Sequence, residues 1–112
     1  MKVIITGGLG FIGSNLIKFL LQKKDIKKII IVDKQSIKKS SYINKICKFK
    51  YFANASSYKS SKFRVDVIRS NVYNYSDALL VCRNTDYIVH LAAESGIDVS
   101  VNEPYKSFKT NI

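Results

Sequence analysis

Three glycines and one carboxylate carry the most specific chemical signal in the chain. Val3, Ile4 and Ile5 lead into Thr6-Gly7-Gly8-Leu9-Gly10-Phe11-Ile12-Gly13-Ser14, where Gly7, Gly10 and Gly13 recur at every third position. A buried strand that turns through glycines into a helix makes a cradle for phosphate. Gly7 permits the tight exit from the strand, Gly10 lets the backbone approach a pyrophosphate with no Cβ in between, and Gly13 lets the helix lie close on the strand. The helix N-terminus, with Phe11 and Ile12 at its first positions, turns its N–H groups toward the anion. A second apolar run, Ile29-Ile30-Ile31-Val32, ends in Asp33, where a carboxylate can accept both hydroxyls of an adenosine ribose. Lys34 would favour a 2′-phosphate there, but Asp33 would repel one, so NAD is expected in preference to NADP.

His90 is the sole histidine and therefore a candidate general base. It lies inside Tyr87-Ile88-Val89-His90-Leu91, an apolar run of the buried parallel-strand type, and reads as a packing residue. Ala92 and Ala93 leave room beside the backbone, and Glu94, Ser95, Asp98 and Ser100 follow the carboxyl end of that strand, where open α/β sheets bind ligands. Cys47 and Cys82 have no Cys-x-x-Cys partner and no histidine cluster, so neither a metal site nor a disulfide framework is suggested.

The elements needed to hold these residues follow from periodicity. Ile12, Leu16, Phe19 and Leu20 predict a helix with one continuous apolar face, Lys18, Gln22 and Lys23 pointing away. Strand character returns from Phe63 through Val65, Val67 and Ile68 toward Ser70-Asn71-Val72, and Ser76 and Asp77 predict the start of a short helix carrying Leu79, Leu80 and Cys82. Lys34 to Lys62 is rich in Lys, Ser and Tyr; a loose helix is expected over Tyr42 to Phe52 and a surface loop at Ser56, Ser57, Ser60 and Ser61.

Composition narrows the class. The chain has 112 residues, 46% of them hydrophobic, enough for one globular domain. Its 19 Lys+Arg against 8 Asp+Glu give a net charge of +11. The basic residues are 16 lysines to 3 arginines, spread from Lys2 to Lys109 with no nucleic-acid-binding pattern, so a solvated basic surface is the expectation and nucleic-acid binding is not. No leader pattern and no bilayer-length apolar run is present, which predicts a cytoplasmic protein without membrane attachment.

Thr6-Gly7-Gly8-Leu9-Gly10-Phe11-Ile12-Gly13-Ser14 resembles the signature of the extended short-chain dehydrogenase/reductase family, the NAD-dependent sugar-nucleotide epimerases and dehydratases. His90-Leu91-Ala92-Ala93-Glu94-Ser95, with Asp98, Ser100, Pro104, Thr110 and Asn111, resembles the family's fourth-strand motif and following helix, and is most similar to the nucleoside-diphosphate-glucose 4,6-dehydratases. The resemblance covers nearly the whole chain except about residues 35–62. It implies an α/β fold, a Rossmann-type doubly wound parallel sheet with strand order 3-2-1-4, filling residues 1–112 as the N-terminal portion of an NAD(P)-binding domain whose substrate domain lies elsewhere.

By the same resemblance, the cofactor contacts are Gly7, Gly10, Phe11, Ile12, Gly13, Asp33, Lys34, Asn71, Val72, Leu91, Ala92, Ala93, Glu94, Ser95 and Thr110. Ser95 also faces the sugar, and Asn111 supports the proton relay. Asn71 stands where the family has an Asp that accepts from the adenine amino group, a contact its side-chain oxygen can still make. The family's reaction uses a Tyr-x-x-x-Lys pair on a later helix. The spacing occurs at Tyr58/Lys62 and at Tyr105/Lys109, neither at the family's position, so no catalytic residue is expected here. The expected partners are a nucleotide-sugar substrate, together with a second copy of the chain or the remainder of a longer protein. The alternatives are a 4-epimerase or decarboxylase, and a non-catalytic dinucleotide-binding module.

Overall fold

The computed structural model describes residues 1–39, 41–71, 78 and 80–91. Strand β1 (Lys2–Thr6) runs through the glycine turn into helix α1 (Phe11–Leu21), which returns the chain to β2 (Lys28–Asp33). A short 3-10 turn (Tyr42–Lys45), β3 (Lys50–Phe52), a second 3-10 turn (Ala55–Ser57), β4 (Val65–Arg69) and β5 (Tyr87–His90) follow. All pairings are parallel, in the order β3-β4-β2-β1-β5. The four strands expected from the sequence keep their 3-2-1-4 arrangement as β4-β2-β1-β5, and β3 adds an outer strand beside β4. In place of the helix expected over Tyr42 to Phe52 the chain makes one 3-10 turn and then this strand.

The β-branched runs of β1 and β2 are buried on both faces, as the centre of a parallel sheet requires. Ile5, Ile29, Ile31, Val65 and Val67 form one core with Ile17 of α1, while Ile4, Ile30, Val32 and Ile68 form the other with Val81. Residues 78, 80 and 81 are helical, so the sheet is covered on both sides.

The buried face of α1 differs from the one its periodicity suggests. Gly13, Ser14 and Ile17 are buried, with Leu16, Leu20 and Leu21 packed at the margin, whereas Ile12 and Phe19 are exposed. Small residues at 13 and 14 let the backbone approach the sheet, which rotates the helix about its axis and turns Ile12 outward. At its C-terminal end α1 is closed by Arg64, whose guanidinium donates to the carbonyls of Leu21 (2.7 Å), Lys23 (2.7 Å) and Ile26 (2.9 Å). The Leu21 carbonyl is at the negative end of the helix dipole and is met by a cation, and the other two carbonyls tie the segment after α1 to the same guanidinium.

The amino ends of β2 and β4 are tied together by a buried ion pair that periodicity does not reveal. Lys28 Nζ lies 2.7 Å from Asp66 Oδ2, with side-chain exposures of 12% and 0%. Asp66 also accepts from the Tyr58 hydroxyl (2.9 Å), the Ser61 hydroxyl and the Ser61 N–H (3.2 Å). Lys28 in turn donates to the carbonyls of Ser61 (2.8 Å) and Phe63 (2.7 Å). Ser61, expected on a surface loop, is therefore a half-buried part of this network. Removing one member of such a pair leaves an uncompensated charge, so Asp66→Ala is expected to cost about 3–5 kcal/mol in urea unfolding. A loss below about 1 kcal/mol would show that Lys28 finds sufficient hydration without its partner.

Candidate functional site

The carboxyl ends of β1, β2 and β5 meet around the glycine turn. Gly7 has φ 72°, a left-handed conformation that a side chain disfavours, and its N–H donates to the Val32 carbonyl at 2.8 Å, fixing the turn to β2. A Cβ on Gly13 would lie 2.6 Å from Gly8 Cα and 2.7 Å from Gly8 O, so α1 touches the turn backbone to backbone. Gly8, to which sequence reasoning gave no role, is the other half of that contact. Its own Cβ would meet Ile31 Cγ2 at 2.7 Å.

Gly10 behaves differently. A Cβ there would have only Gly7 O nearby, at an ordinary 3.8 Å, and the residue is exposed. Among the described residues, nothing in the packing demands glycine at this position. The open backbone face is what a pyrophosphate requires. Gly10 is also the N-cap of α1, with no side-chain cap hydrogen bond and no acidic residue in the first turn. Among the described residues no side chain caps the positive end of the helix dipole, an arrangement that suits an anion. Phe11 and Ile12 stand exposed at this end, Phe11 edge-on to Tyr42 with ring centroids 6.1 Å apart.

Asp33 ends β2 beside the turn. Its Oδ2 accepts from the Leu9 N–H at 3.2 Å and its Oδ1 from the Gln35 N–H at 2.9 Å. A carboxylate has about four acceptor positions, so roughly two remain for hydroxyl donors. Lys34 is exposed beside it, and its carbonyl accepts from Arg69 Nε at 3.3 Å. Arg69 is paired in register with Asp33 and adds a cation that the sequence reading did not place at this end. Asn71 is exposed just past β4.

On the other side of β1, Thr6 and His90 are register partners, and Thr6 Oγ1 shares a 2.6 Å hydrogen bond with His90 Nδ1. His90 is half-buried between strands, and the Leu91 N–H continues the pairing to Thr6 O at 2.9 Å. Val72, Ala92, Ala93, Glu94, Ser95, Thr110 and Asn111 lie outside the described residues, as do Ser76, Asp77, Leu79, Tyr105 and Lys109.

Tyr58 sits away from this site, in the Asp66 network at the opposite end of the sheet. Its phenol is pushed well above the ordinary tyrosine range by burial, and further by the hydrogen bond to and charge of Asp66. That direction keeps it protonated, the reverse of what a proton acceptor near neutral pH needs. Burial likewise pushes the Cys82 thiol up to about 11, and among the described residues no group of His, Cys, Asp and Glu could hold a metal ion. No helix among them is long and apolar enough to cross a membrane.

A family model described as GDP-mannose 4,6 dehydratase matches residues 4–112. The dTDP-glucose 4,6-dehydratase of Salmonella typhimurium is 30% identical over 122 aligned positions, covering 100% of this chain and 28% of that protein. The dTDP-D-glucose 4,6-dehydratase of Dictyostelium discoideum is 33% identical over 112 positions, covering 99% of this chain and 23% of its own length. Among solved structures, a dTDP-glucose 4,6-dehydratase from Bacillus anthracis in complex with NAD superposes with a TM-score of 0.58 at 27% identity, covering 84% of this chain and 27% of that one. The chain spans less than a third of the length of the curated relatives it matches.

Two outcomes follow from this geometry. Gly13→Ala should destabilise the fold by about 1–3 kcal/mol, because helix and turn must separate, whereas Gly10→Ala should stay within about 0.5 kcal/mol. Equal urea midpoints for the two variants would show that α1 does not rest on Gly8. Because the folded state raises the Tyr58 pKa, the contribution of its protonated phenol is complete below the unfolded value of about 10 and is lost as pH rises beyond it. The stability difference between the natural chain and Tyr58→Phe should therefore shrink between about pH 10 and 12, and a constant difference there would contradict it.

Proposed function

The chain belongs to the GDP-mannose 4,6 dehydratase family, and we propose that it is the NAD-binding part of a sugar-nucleotide dehydratase. One observation carries the reading: at Gly10 an open backbone face coincides with an uncapped helix N-terminus, next to a carboxylate already held by two backbone N–H groups. A pyrophosphate with an adenosine ribose attached matches these groups in charge and hydrogen-bonding sense.

In this reading Gly10 and the first turn of α1, with Gly7 and Gly13 shaping the turn, hold the pyrophosphate. Asp33 holds the ribose, and its carboxylate offsets part of the charge of Lys34 and Arg69 beside it. Asn71 and Val72 serve the adenine end; Phe11, Ile12 and Leu91 flank the cradle, followed by Ala92, Ala93 and Glu94. Ser95 touches both cofactor and sugar, Thr110 contacts the cofactor, and Asn111 supports the proton relay. NAD, when bound, supplies the hydride acceptor and donor of the dehydration. The names of the relatives support a nucleotide sugar as substrate. Tyr58 receives no part in proton exchange, since Asp66 holds its hydroxyl at the far end of the sheet.

β5 is the outer strand among the described residues, with Tyr87 and Ile88 exposed, and a second copy or further chain would continue the sheet there. A cytoplasmic location suits the free thiols of Cys47 and Cys82.

Titration with NAD tests the site. Asp33→Ala should weaken binding by about 1.5–3 kcal/mol through loss of charged hydrogen bonds, and Gly10→Val should abolish it by filling the open face. Unaltered NAD affinity in both variants would remove the cradle reading.

A further inference from the structure

We propose that the amino end of the sheet, opposite the glycine turn, carries a second anion site that takes a small polyanion of the diphosphate class. The segment joining α1 to β2 and the segment leading into β4 converge on an open cleft of about 580 Å³ whose lining includes Lys24, Lys27, Lys28, Lys62, Phe63 and Arg64. In sequence the lysines are spread along the chain; the fold brings these together from two segments more than thirty residues apart.

The charges in the cleft are not equivalent. Lys28 is neutralised by Asp66. Arg64 gives its guanidinium to backbone carbonyls, which carry no net charge, and so its positive charge stands. Its bond to the Leu21 carbonyl also places a cation at the negative end of the α1 dipole, which weakens the repulsion an anion would meet there. Lys24, Lys27 and Lys62 are exposed and make no ion pair among the described residues. Among the described residues, four cations without an ion-pair partner thus line one cleft and no carboxylate lines it; Asp25, in the same loop, is not part of the lining. Converging charge of one sign in an open cleft raises the local potential and concentrates counter-ions.

The lysines set the ligand class. Ammonium groups on flexible stems act as point charges without a fixed fork, so the cleft selects charge density over shape. Adjacent phosphoryl groups meet several ammoniums at once, whereas a single carboxylate meets one. The limited volume of the cleft, about 580 Å³, favours a compact ligand over a polymer. The site is distinct from the cradle: β2 alone, from Lys28 to Asp33, separates the two by about 17 Å.

The experiment titrates inorganic pyrophosphate into the full chain at saturating NAD, which occupies the glycine turn, and follows backbone amide shifts. Saturable shifts at Lys24, Lys27, Lys62 and Phe63 are expected, with affinity falling about tenfold in the combined Lys24→Gln, Lys27→Gln, Lys62→Gln variant. All three side chains are exposed, so the variant's urea midpoint should match that of the natural chain. Shifts confined to the glycine turn, affinity unchanged in the variant, or no saturation by about 10 mM would each overturn the proposal. So would preferential binding of a short single-stranded RNA at the same amides, since that would make the cleft a polymer surface.

Discussion

The backbone contact between Gly8 and Gly13 is the constraint on which the rest of this end of the molecule depends. A Cβ at position 13 would fall inside van der Waals distance of three backbone atoms of Gly8, so the first turn of α1 rests on the turn that precedes it. With the helix that close, its axis is fixed over β1, Ile17 enters the core, and the N-terminus points across the carboxyl ends of the strands. Gly7 adds the left-handed step that lets the chain leave β1 in time to do this. The exposure of Phe11 and Ile12 follows from the same rotation that buries Gly13 and Ser14.

The two ends of the sheet solve opposite problems. At the amino end, the buried carboxylate and the last carbonyl of α1 are satisfied internally: Asp66 by Lys28, Tyr58 and Ser61, and the Leu21 carbonyl by Arg64, while the exposed lysines there face solvent. A buried pair of this kind offsets its desolvation cost only when its remaining hydrogen-bonding positions are filled, and here both partners have further bonds. At the carboxyl end the helix terminus has no side-chain cap and Gly10 has open space above it. Internal satisfaction at one end holds the strands in register, which lets the other end remain unsatisfied without loosening.

What could be read in the sequence was what local pattern encodes. The glycine spacing, the two isoleucine-rich strands and the carboxylate after the second are contiguous signals, and they give β1, α1, β2 and Asp33. The strand Lys50–Phe52 was missed because three residues within a lysine-rich stretch have no detectable period, and its pairing with β4 is a tertiary event. The buried face of α1 was misread because periodicity ranks Ile12 and Phe19 as core residues by hydrophobicity, whereas the close approach at Gly13 decides the rotation. Asp66, within Val-Asp-Val-Ile, carries no local signal of its role, because its partner Lys28 lies on another strand and no spacing links them. Gly8 carried a signal, a fourth glycine inside the motif, that the three-residue repeat drew attention away from.

Asp33 joins the fold to the site. One oxygen holds the Leu9 N–H in the glycine turn, the other the Gln35 N–H where the chain leaves β2, and Ser70 N–H bonds the Asp33 carbonyl at 3.0 Å. The carboxylate is therefore restrained from both sides before any ligand arrives. A side chain fixed in this way loses little conformational freedom on binding, so more of its interaction with a ribose would appear as affinity. In the proposed function the same bonds would tie the ribose position to the phosphate position, because Leu9 lies between Gly7 and Gly10. A change that shifts the turn must shift Asp33 with it, and the cradle and the carboxylate accordingly act as one rigid recognition element.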